Sequence, residues 1–224
     1  MAVEFEHRAS IRSAAEQLVE VCKLMHQRGY IAARDGNVSV RIGDKRMLVT
    51  PSGARKGFMK PDDMVLCDLD GNPVRGERGR PSSETMMHTL IYAERPEVNA
   101  VVHAHPPCAI AHTIAGVGLD QPLMPEVLCE LGEIVTVPYT TPTTREVPDR
   151  LREHLTCRVA LIMERHGSIT LGETLGQAYD RLEILEHTAR ISMMANALAP
   201  GGVRGLDAEQ VDKLRVFLGC GLGC

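Results

Sequence analysis

The sequence of 224 residues predicts a layered α/β sandwich that is built on a mixed or antiparallel sheet. Segments with helical and with strand periodicity alternate irregularly, and not in the regular strand–helix–strand units of a doubly wound fold. A hairpin pattern near the start of the chain favours antiparallel pairing. No internal repeat, linker or low-complexity segment interrupts the chain, so we expect a single domain over residues 1–224.

The first half of the chain is expected to hold a helix, a hairpin, a further strand and a short helix. Apolar residues recur at helical spacing over residues 10–28, and Gly29 follows where a helix-capping glycine belongs. The segment DGNVSVRIGDKRMLVTPSG alternates apolar and polar residues around positions 43–44, which predicts a hairpin. DMVLCDLDGNPV indicates a strand ending in a turn, and PSSE leads into a helix over residues 84–94.

The second half begins with the segment NAVVHAH, which predicts a strand, and a helix is expected over residues 107–115. GEIVTVPY and RVALIME indicate two more strands, and residues 159–163 of the latter are apolar on both faces, as in a central strand. A long amphipathic helix is predicted over residues 173–198 and a short one from about Asp207. The terminal GCGLGC, from about residue 219, is expected to be a mobile tail.

Composition excludes several classes of function. A net charge of -4, few aromatic residues and no Trp argue against a nucleic-acid-binding protein. Neither a signal-peptide pattern nor an apolar run of membrane-spanning length is present, so a cytoplasmic location is expected. The seven cysteines include no CxxC pair, and we expect them to be reduced and mostly buried thiols.

His103 and His105 are the first candidate ligands for a metal ion. Residues two apart in a strand point to the same face, so both imidazoles can reach one ion. On this motif alone, a pair of partly exposed histidines without a ligand role is the favoured explanation. His166 strengthens the metal hypothesis, because it also follows a buried strand, and three imidazoles leave room for substrate oxygens. Of the other histidines, only His88, on the helix after Glu84, is expected near this site.

Glu84 follows Pro81-Ser82-Ser83 at the predicted start of a helix, and two explanations fit it. Ser82 or Ser83 would be a helix N-cap, with Glu84 favourably placed against the helix dipole. Alternatively, the hydroxyls and free N–H groups bind an anion while Glu84 faces the metal. The loops DGNVS and TPSG are further candidate anion-binding turns, and three such loops around one cleft would hold a phosphate group without a lysine.

Five motifs in this order, GNVSVR, TPSG, PSSE, HAHPP and RHG, make the chain resemble the class II aldolase and adducin family over about residues 14–197. The pattern is most similar to the L-fuculose-1-phosphate aldolases of that family. The resemblance implies a three-layer α/β/α sandwich with a largely antiparallel central sheet. It also implies a homotetramer with active sites at subunit interfaces.

The resemblance further implies the roles of individual residues. One divalent ion per subunit, with Zn2+ expected first and Mn2+ or Co2+ as alternatives, would be bound by His103, His105, His166 and Glu84. Glu84 would also act as the catalytic base. The implied phosphate contacts are Gly36, Asn37, Ser52, Gly53, Ser82 and Ser83.

The sequence departs from the family pattern on the aldehyde side of the site. Where the fuculose-phosphate aldolases have a tyrosine, this chain aligns Glu126, and no tyrosine follows Tyr179 in place of a second one. A solvated loop carboxylate and a catalytic residue explain Glu126 equally well, because aldehyde-side residues vary with substrate.

The implied activity is cleavage of a ketose 1-phosphate to dihydroxyacetone phosphate and an aldehyde. Because Glu126 replaces the tyrosine, 5-deoxyribulose or 5-methylthioribulose 1-phosphate fits as well as a substrate like fuculose 1-phosphate. The alternative is a decarboxylase of a keto sugar-acid phosphate or of a dihydroxy aromatic acid. A ribulose-phosphate 4-epimerase is less favoured, and retention of three histidines and Glu84 argues against a non-enzymatic adducin-like module.

Overall fold

The computed structural model describes residues 2–199 and 202–218. Within these ranges the helices are α1 (Ala2–Gln27), α2 (Thr85–Glu94), α3 (Pro107–Ala115), α4 (Pro125–Glu130), α5 (Glu146–Arg152), α6 (Leu175–Leu198) and α7 (Ala208–Leu218). The strands are β1 (Asn37–Ile42), β2 (Arg46–Val49), β3 (Val65–Asp68), β4 (Ala100–Ala104), β5 (Val135–Val137), β6 (Ala160–Met163) and β7 (Gly167–Gly172).

The strands form one sheet in the order β3-β2-β1-β4-β7-β6-β5. β1 pairs antiparallel with β2 and β4, β2 with β3, and β6 with β7, whereas β5 and β6 run parallel. The predicted α/β class with a largely antiparallel sheet is confirmed. β6 is buried along its whole length between two neighbours, as the unbroken apolar run of its sequence predicts.

The chain divides into two compact units, Met1–Ala104 with Leu171–Ala178, and His105–Thr170 with Tyr179–Cys224. The prediction of a single domain over residues 1–224 stays a prediction. In the first unit α1 packs against β1 and β2, and its fully buried face repeats at helical spacing through Leu18, Cys22 and Met25. In the second unit a core cluster joins α3, α4, β6 and α6.

Turns in the first unit follow the sequence patterns closely. The β1–β2 hairpin turns at Gly43, whose φ of 58° lies in the left-handed region that glycine favours. The turn after β3 is held by Asp68, whose carboxylate accepts hydrogen bonds from the backbone N–H groups of Asp70 and Asn72. In the β1–β4 ladder Asn37 lies opposite His103, which brings two predicted site residues onto neighbouring strands.

Several predictions about local structure were incomplete or wrong. The first helix begins at Ala2 and not at residue 10. Neither α4 nor α5 was predicted, and both are helices of only two turns or fewer. No strand was predicted after His166, but this segment forms β7, whose buried Ser168 and Thr170 alternate with Ile and Leu at strand spacing.

The prediction of reduced cysteines was wrong for two residues. Cys129, in α4, and Cys157, in the segment before β6, are each disulfide-bonded. Cys22, Cys67 and Cys108 are free, as expected. Cys220 and Cys224, with the predicted mobile tail, lie outside the described residues.

In the described part of the chain, no helix combines the length and the apolar character that a bilayer crossing requires. The cytoplasmic location stays a prediction.

Candidate active site

Three histidines of the predicted metal site lie close together. His103 is on β4 and fully buried, and His105 lies one residue beyond the strand end, before two prolines. With His166, each offers a ring nitrogen, and these three atoms lie within 4.8 Å of one another. Three imidazole nitrogens this close together suit the ligand set of one divalent ion.

A tight turn between β6 and β7 presents His166. Arg165 adopts a left-handed conformation with φ of 57°, and the His166 N–H donates to the carbonyl oxygen of Met163 at 3.1 Å. The Arg165 N–H is held by the hydroxyl of Thr113 at 2.9 Å, which fixes the turn from the side of α3. The rings of His105 and His166 meet edge to face, with centroids 5.1 Å apart.

Glu84 lies beside this cluster at the N-cap position of α2. Its Oε2 atom is 3.4 Å from Nε2 of His103, and its side chain is only 13% exposed. Of the two explanations offered for this segment, the one in which Ser82 or Ser83 is the helix N-cap is contradicted, because Glu84 occupies that position. The hydroxyl of Ser82 instead accepts the Glu84 N–H at 3.3 Å, one residue before the helix. This arrangement turns the Glu84 carboxylate inward and leaves Ser83 exposed.

The donor set suits a divalent ion. Three imidazoles and one carboxylate, all borderline or hard ligands, match the preferences of Zn2+, Mn2+ and Co2+. The cluster therefore fits the divalent metal that the sequence resemblance implies, while the four-ligand set with Glu84 stays a prediction.

Asn37 connects the carboxylate to a buried polar network. Its Nδ2 donates to Oε2 of Glu84 at 2.8 Å, and its Oδ1 lies 2.5 Å from Nε2 of His88. Nδ1 of His88 is 2.6 Å from the Ser39 hydroxyl, which is 2.8 Å from the hydroxyl of Tyr92. Burial lowers the pKa of His88 to about 4, so its ring is neutral near pH 7.

Position 36 requires a glycine, because the backbone there lies very close to neighbouring parts of the chain. Its φ is 70°, and a β-carbon there would lie 2.8 Å from the carbonyl oxygen of His103 and 2.7 Å from a methyl carbon of Ile31. Only glycine satisfies both conditions, so the DGN turn can lie directly against the strand that carries His103.

Backbone hydrogen bonds join two of the three predicted anion loops. The Ser52 N–H donates to the carbonyl oxygen of Arg80 at 2.9 Å, and the Ser82 N–H donates to that of Thr50 at 3.1 Å. Ser52 and Gly53 are exposed, and Ser82 is buried. Phosphate binding by Gly36, Asn37, Ser52, Gly53, Ser82 and Ser83 stays a prediction, and the Asn37 amide already contacts Glu84 and His88.

Lys56 was missed in the sequence, where a lysine in a polar loop is most simply explained as solvated. Its side chain is 3% exposed, and Nζ donates to the carbonyl oxygens of Arg34 and Ala54, each at 3.0 Å. Lys56 thereby joins the DGN loop to the TPSG loop. Burial lowers its pKa, and the nearby Cys22, Asp35 and Glu84 oppose that shift.

Glu126 is exposed in the first turn of α4. Its predicted role on the aldehyde side of the site stays a prediction.

Comparison with known proteins identifies the family whose members this chain resembles. The family model for the class II aldolase and adducin N-terminal domain matches residues 16–193. The chain is 32% identical over 185 residues to an L-fuculose phosphate aldolase of Methanococcus maripaludis, which covers 81% of this chain and 97% of the relative. It is 30% identical over 209 residues to a 3-oxo-tetronate 4-phosphate decarboxylase of Escherichia coli, covering 91% of this chain and 96% of the relative.

Solved structures show the same fold. YgbL of Escherichia coli, described as an aldolase, epimerase or decarboxylase, superimposes with a TM-score of 0.84 at 28% identity, over 92% of this chain and 99% of that one. The L-fuculose-1-phosphate aldolase of Thermus thermophilus superimposes with a TM-score of 0.72 at 29% identity, over 86% of this chain and 98% of that one.

Proposed function

Because this chain belongs to the class II aldolase and adducin family, we propose that it is a divalent-metal-dependent aldolase that cleaves a ketose 1-phosphate. The products would be dihydroxyacetone phosphate and an aldehyde. The observation that carries the proposal is the cluster of three histidines, with the Glu84 carboxylate 3.4 Å from one of them.

The metal would be held by His103, His105, His166 and Glu84. A divalent ion supplies Lewis acidity, which stabilises negative charge as it develops on substrate oxygens. Zinc is proposed first, and manganese or cobalt also suits these ligands.

The chain's own residues would manage the protons and the phosphate group. In the cleavage direction Glu126 accepts the proton of the hydroxyl on carbon 4, and the bond between carbons 3 and 4 breaks. Glu84, protonated from solvent once the substrate is bound, delivers its proton to carbon 3, and Glu126 then returns its proton to solvent. The atoms then balance as one ketose phosphate converted to one triose phosphate and one aldehyde. The loops joined by Lys56 would bind the phosphate and hold the reacting bond beside Glu84.

Glu126 is the residue that supports a less hydroxylated substrate. An exposed carboxylate on α4 replaces the aromatic phenol of the fuculose-phosphate aldolases, so 5-deoxyribulose and 5-methylthioribulose 1-phosphate are the preferred candidates. A tetramer whose neighbouring subunits complete the site belongs to the same proposal.

A second candidate is a decarboxylase of a keto sugar-acid phosphate. It is favoured by the Escherichia coli relative named as a 3-oxo-tetronate 4-phosphate decarboxylase, which aligns over 91% of the chain, compared with 81% for the aldolase relative reported above. Loss of CO2 next to a carbonyl develops the same negative charge as aldol cleavage, so the same metal ligands would serve it.

A substrate panel tests both candidates. The protein is supplied with Zn2+, Mn2+ or Co2+ and incubated with fuculose, 5-deoxyribulose and 5-methylthioribulose 1-phosphates and with 3-oxo-tetronate 4-phosphate. Release of dihydroxyacetone phosphate from a ketose 1-phosphate without CO2, measured by coupled reduction to glycerol 3-phosphate, supports the aldolase. Loss of CO2 from 3-oxo-tetronate 4-phosphate also leaves dihydroxyacetone phosphate, so release of CO2 from that substrate, with no cleavage of the ketose 1-phosphates, supports the decarboxylase. Release of neither product with any metal contradicts both.

Matched variants test the two catalytic acids. Glu84→Gln is expected to abolish turnover, and Glu94→Gln, at the exposed far end of the same helix, is the control. Glu126→Ala is compared with Glu130→Ala, which alters an exposed carboxylate at the other end of α4. Full activity of Glu126→Ala would remove that residue from the mechanism and leave the role of Glu84 standing.

A further inference from the structure

We propose that His88 is a positioning residue, which acts through Asn37 to hold the Glu84 carboxylate in one orientation beside His103. The inference rests on the proposed function, because it concerns the residue that the function makes both metal ligand and base. His88 itself contacts neither His103 nor, in its hydrogen bonds, Glu84.

The residues of this network recur at regular spacings on one helix and one strand. Glu84, His88 and Tyr92 recur every four residues along α2, so they lie on one face of the helix. Asn37 and Ser39 are two apart on β1 and therefore share one face of the strand. Hydrogen bonds run alternately between helix and strand, from Glu84 to Asn37, His88, Ser39 and Tyr92 in turn.

The direction of every hydrogen bond in this chain follows from its carboxylate end. An ionised carboxylate only accepts, so Asn37 presents its amide NH2 group to Glu84 and its carbonyl oxygen to His88. That oxygen only accepts, so Nε2 of His88 carries a proton, and in the neutral ring Nδ1 is then an acceptor. The Ser39 hydroxyl therefore donates to Nδ1 and accepts from the Tyr92 hydroxyl.

Because the residues of this network are buried, each of its hydrogen bonds can be made only with the partner described. His88 and Ser39 are 0% exposed, and Asn37 is 2% exposed, so water cannot replace a missing partner. A second proton on His88 would reverse the Ser39–Tyr92 hydrogen bond and leave the Tyr92 hydroxyl hydrogen without an acceptor in this network. Burial lowers the pKa of His88 to about 4, in agreement with a neutral ring.

The consequence for the site is a fixed carboxylate. Without the Nε2–H of His88, the Asn37 amide can rotate by half a turn and present its oxygen to Glu84, which would repel the carboxylate. Partners that orient a ligand typically change metal affinity or activity by about 10- to 100-fold when they are removed. Because His88 does not touch the substrate, kcat should fall and KM should change little.

Two substitutions separate positioning from packing. His88→Leu fills part of the volume and removes both hydrogen bonds, whereas His88→Gln keeps one N–H donor and one acceptor at similar separation. His112→Leu is the control, because His112 is another buried histidine, bonded only to the carbonyl oxygens of Val117 and Ala189.

The experiment measures metal affinity first and activity second. Chelator-treated protein is titrated with Mn2+ by calorimetry, and thermal unfolding in the same buffer reports stability. His88→Leu is expected to weaken binding by about 10-fold or more, His88→Gln to restore it to within about threefold, and His112→Leu to lower Tm without weakening binding. The kcat and KM of each variant are then measured on whichever substrate the panel identifies.

The inference would be overturned if His88→Leu kept the metal affinity and kcat of the wild type. It would also be overturned if His88→Leu and His88→Gln lost metal affinity equally while both kept the Tm of the wild type. A protein with no activity on any substrate but with the predicted order of metal affinities would support the role of His88 while contradicting the proposed function. A wild-type protein that binds no divalent ion would contradict both.

Discussion

Acidification is expected to destabilise the metal-free protein through His88 alone by about 3 kcal/mol between neutral pH and pH 4. The pKa of this histidine falls from 6.5 to about 4 on folding, because burial penalises the charged ring. Each unit of pKa corresponds to about 1.4 kcal/mol, which gives the estimate of about 3 kcal/mol. The Glu84 carboxylate favours the charged ring but is the smaller influence.

The sign follows from proton uptake. Below pH 6.5 the unfolded chain binds a proton at this histidine, and the folded protein does not until about pH 4. The stability that the neutral ring contributes is therefore fully present above 6.5 and is lost as pH falls toward 4.

Urea unfolding at several pH values, in chelator, measures this effect in the wild-type protein and in His88→Gln. The difference between their free energies of unfolding should change by about 3 kcal/mol over the interval, because glutamine does not titrate. For His187→Gln, at an exposed position on α6, the plot of the free energy of unfolding against pH should run parallel to that of the wild type. A plot for His88→Gln that also runs parallel to the wild type would refute the reasoning.

Three further substitutions test the loops and the disulfide. Gly36→Ala should destabilise the protein by at least about 1 kcal/mol more than Gly29→Ala in urea unfolding, because both have positive φ but only Gly36 meets neighbouring atoms. Equal losses would mean that the close approach to His103 is unimportant. Lys56→Met should raise KM for a phosphorylated substrate by about tenfold, whereas Lys45→Met in the exposed hairpin turn should not; an unchanged KM would separate Lys56 from phosphate binding. Cys129→Ser should lower the free energy of unfolding by about 3 kcal/mol under non-reducing conditions and remove the effect of added reductant, and a wild type insensitive to reductant would contradict this.

Much of the fold was visible in local patterns. The β1–β2 hairpin, α3 and the buried run of β6 each carry a periodicity or turn residue that allows few alternatives. The β7 strand was missed although Ser168 and Thr170 alternate with Ile169 and Leu171, because buried hydroxyls look like loop residues until their strand partners are known. The disulfide bonding of Cys129 and Cys157 depends on which segments the fold brings together, and the sequence contains no local signal for that.

The candidate site was predictable where its residues lie at a strand end or just beyond it. His103, His105 and His166 could be singled out in this way, and the structure brings their ring nitrogens together. Lys56 could not, because its burial results from two loops that are distant in sequence. The positioning network could have been found: residues 84, 88 and 92 repeat at helical spacing, but the pattern has meaning only once β1 is known to face α2.

The most direct test of the account is the metal content of the purified protein, measured by inductively coupled plasma mass spectrometry. The account predicts a divalent ion bound close to one per chain, lost in His166→Ala but retained in His187→Ala, with activity abolished by chelator and restored by added metal. Wild-type protein that holds no divalent ion and stays inert when Zn2+, Mn2+ or Co2+ is supplied would contradict the central claim.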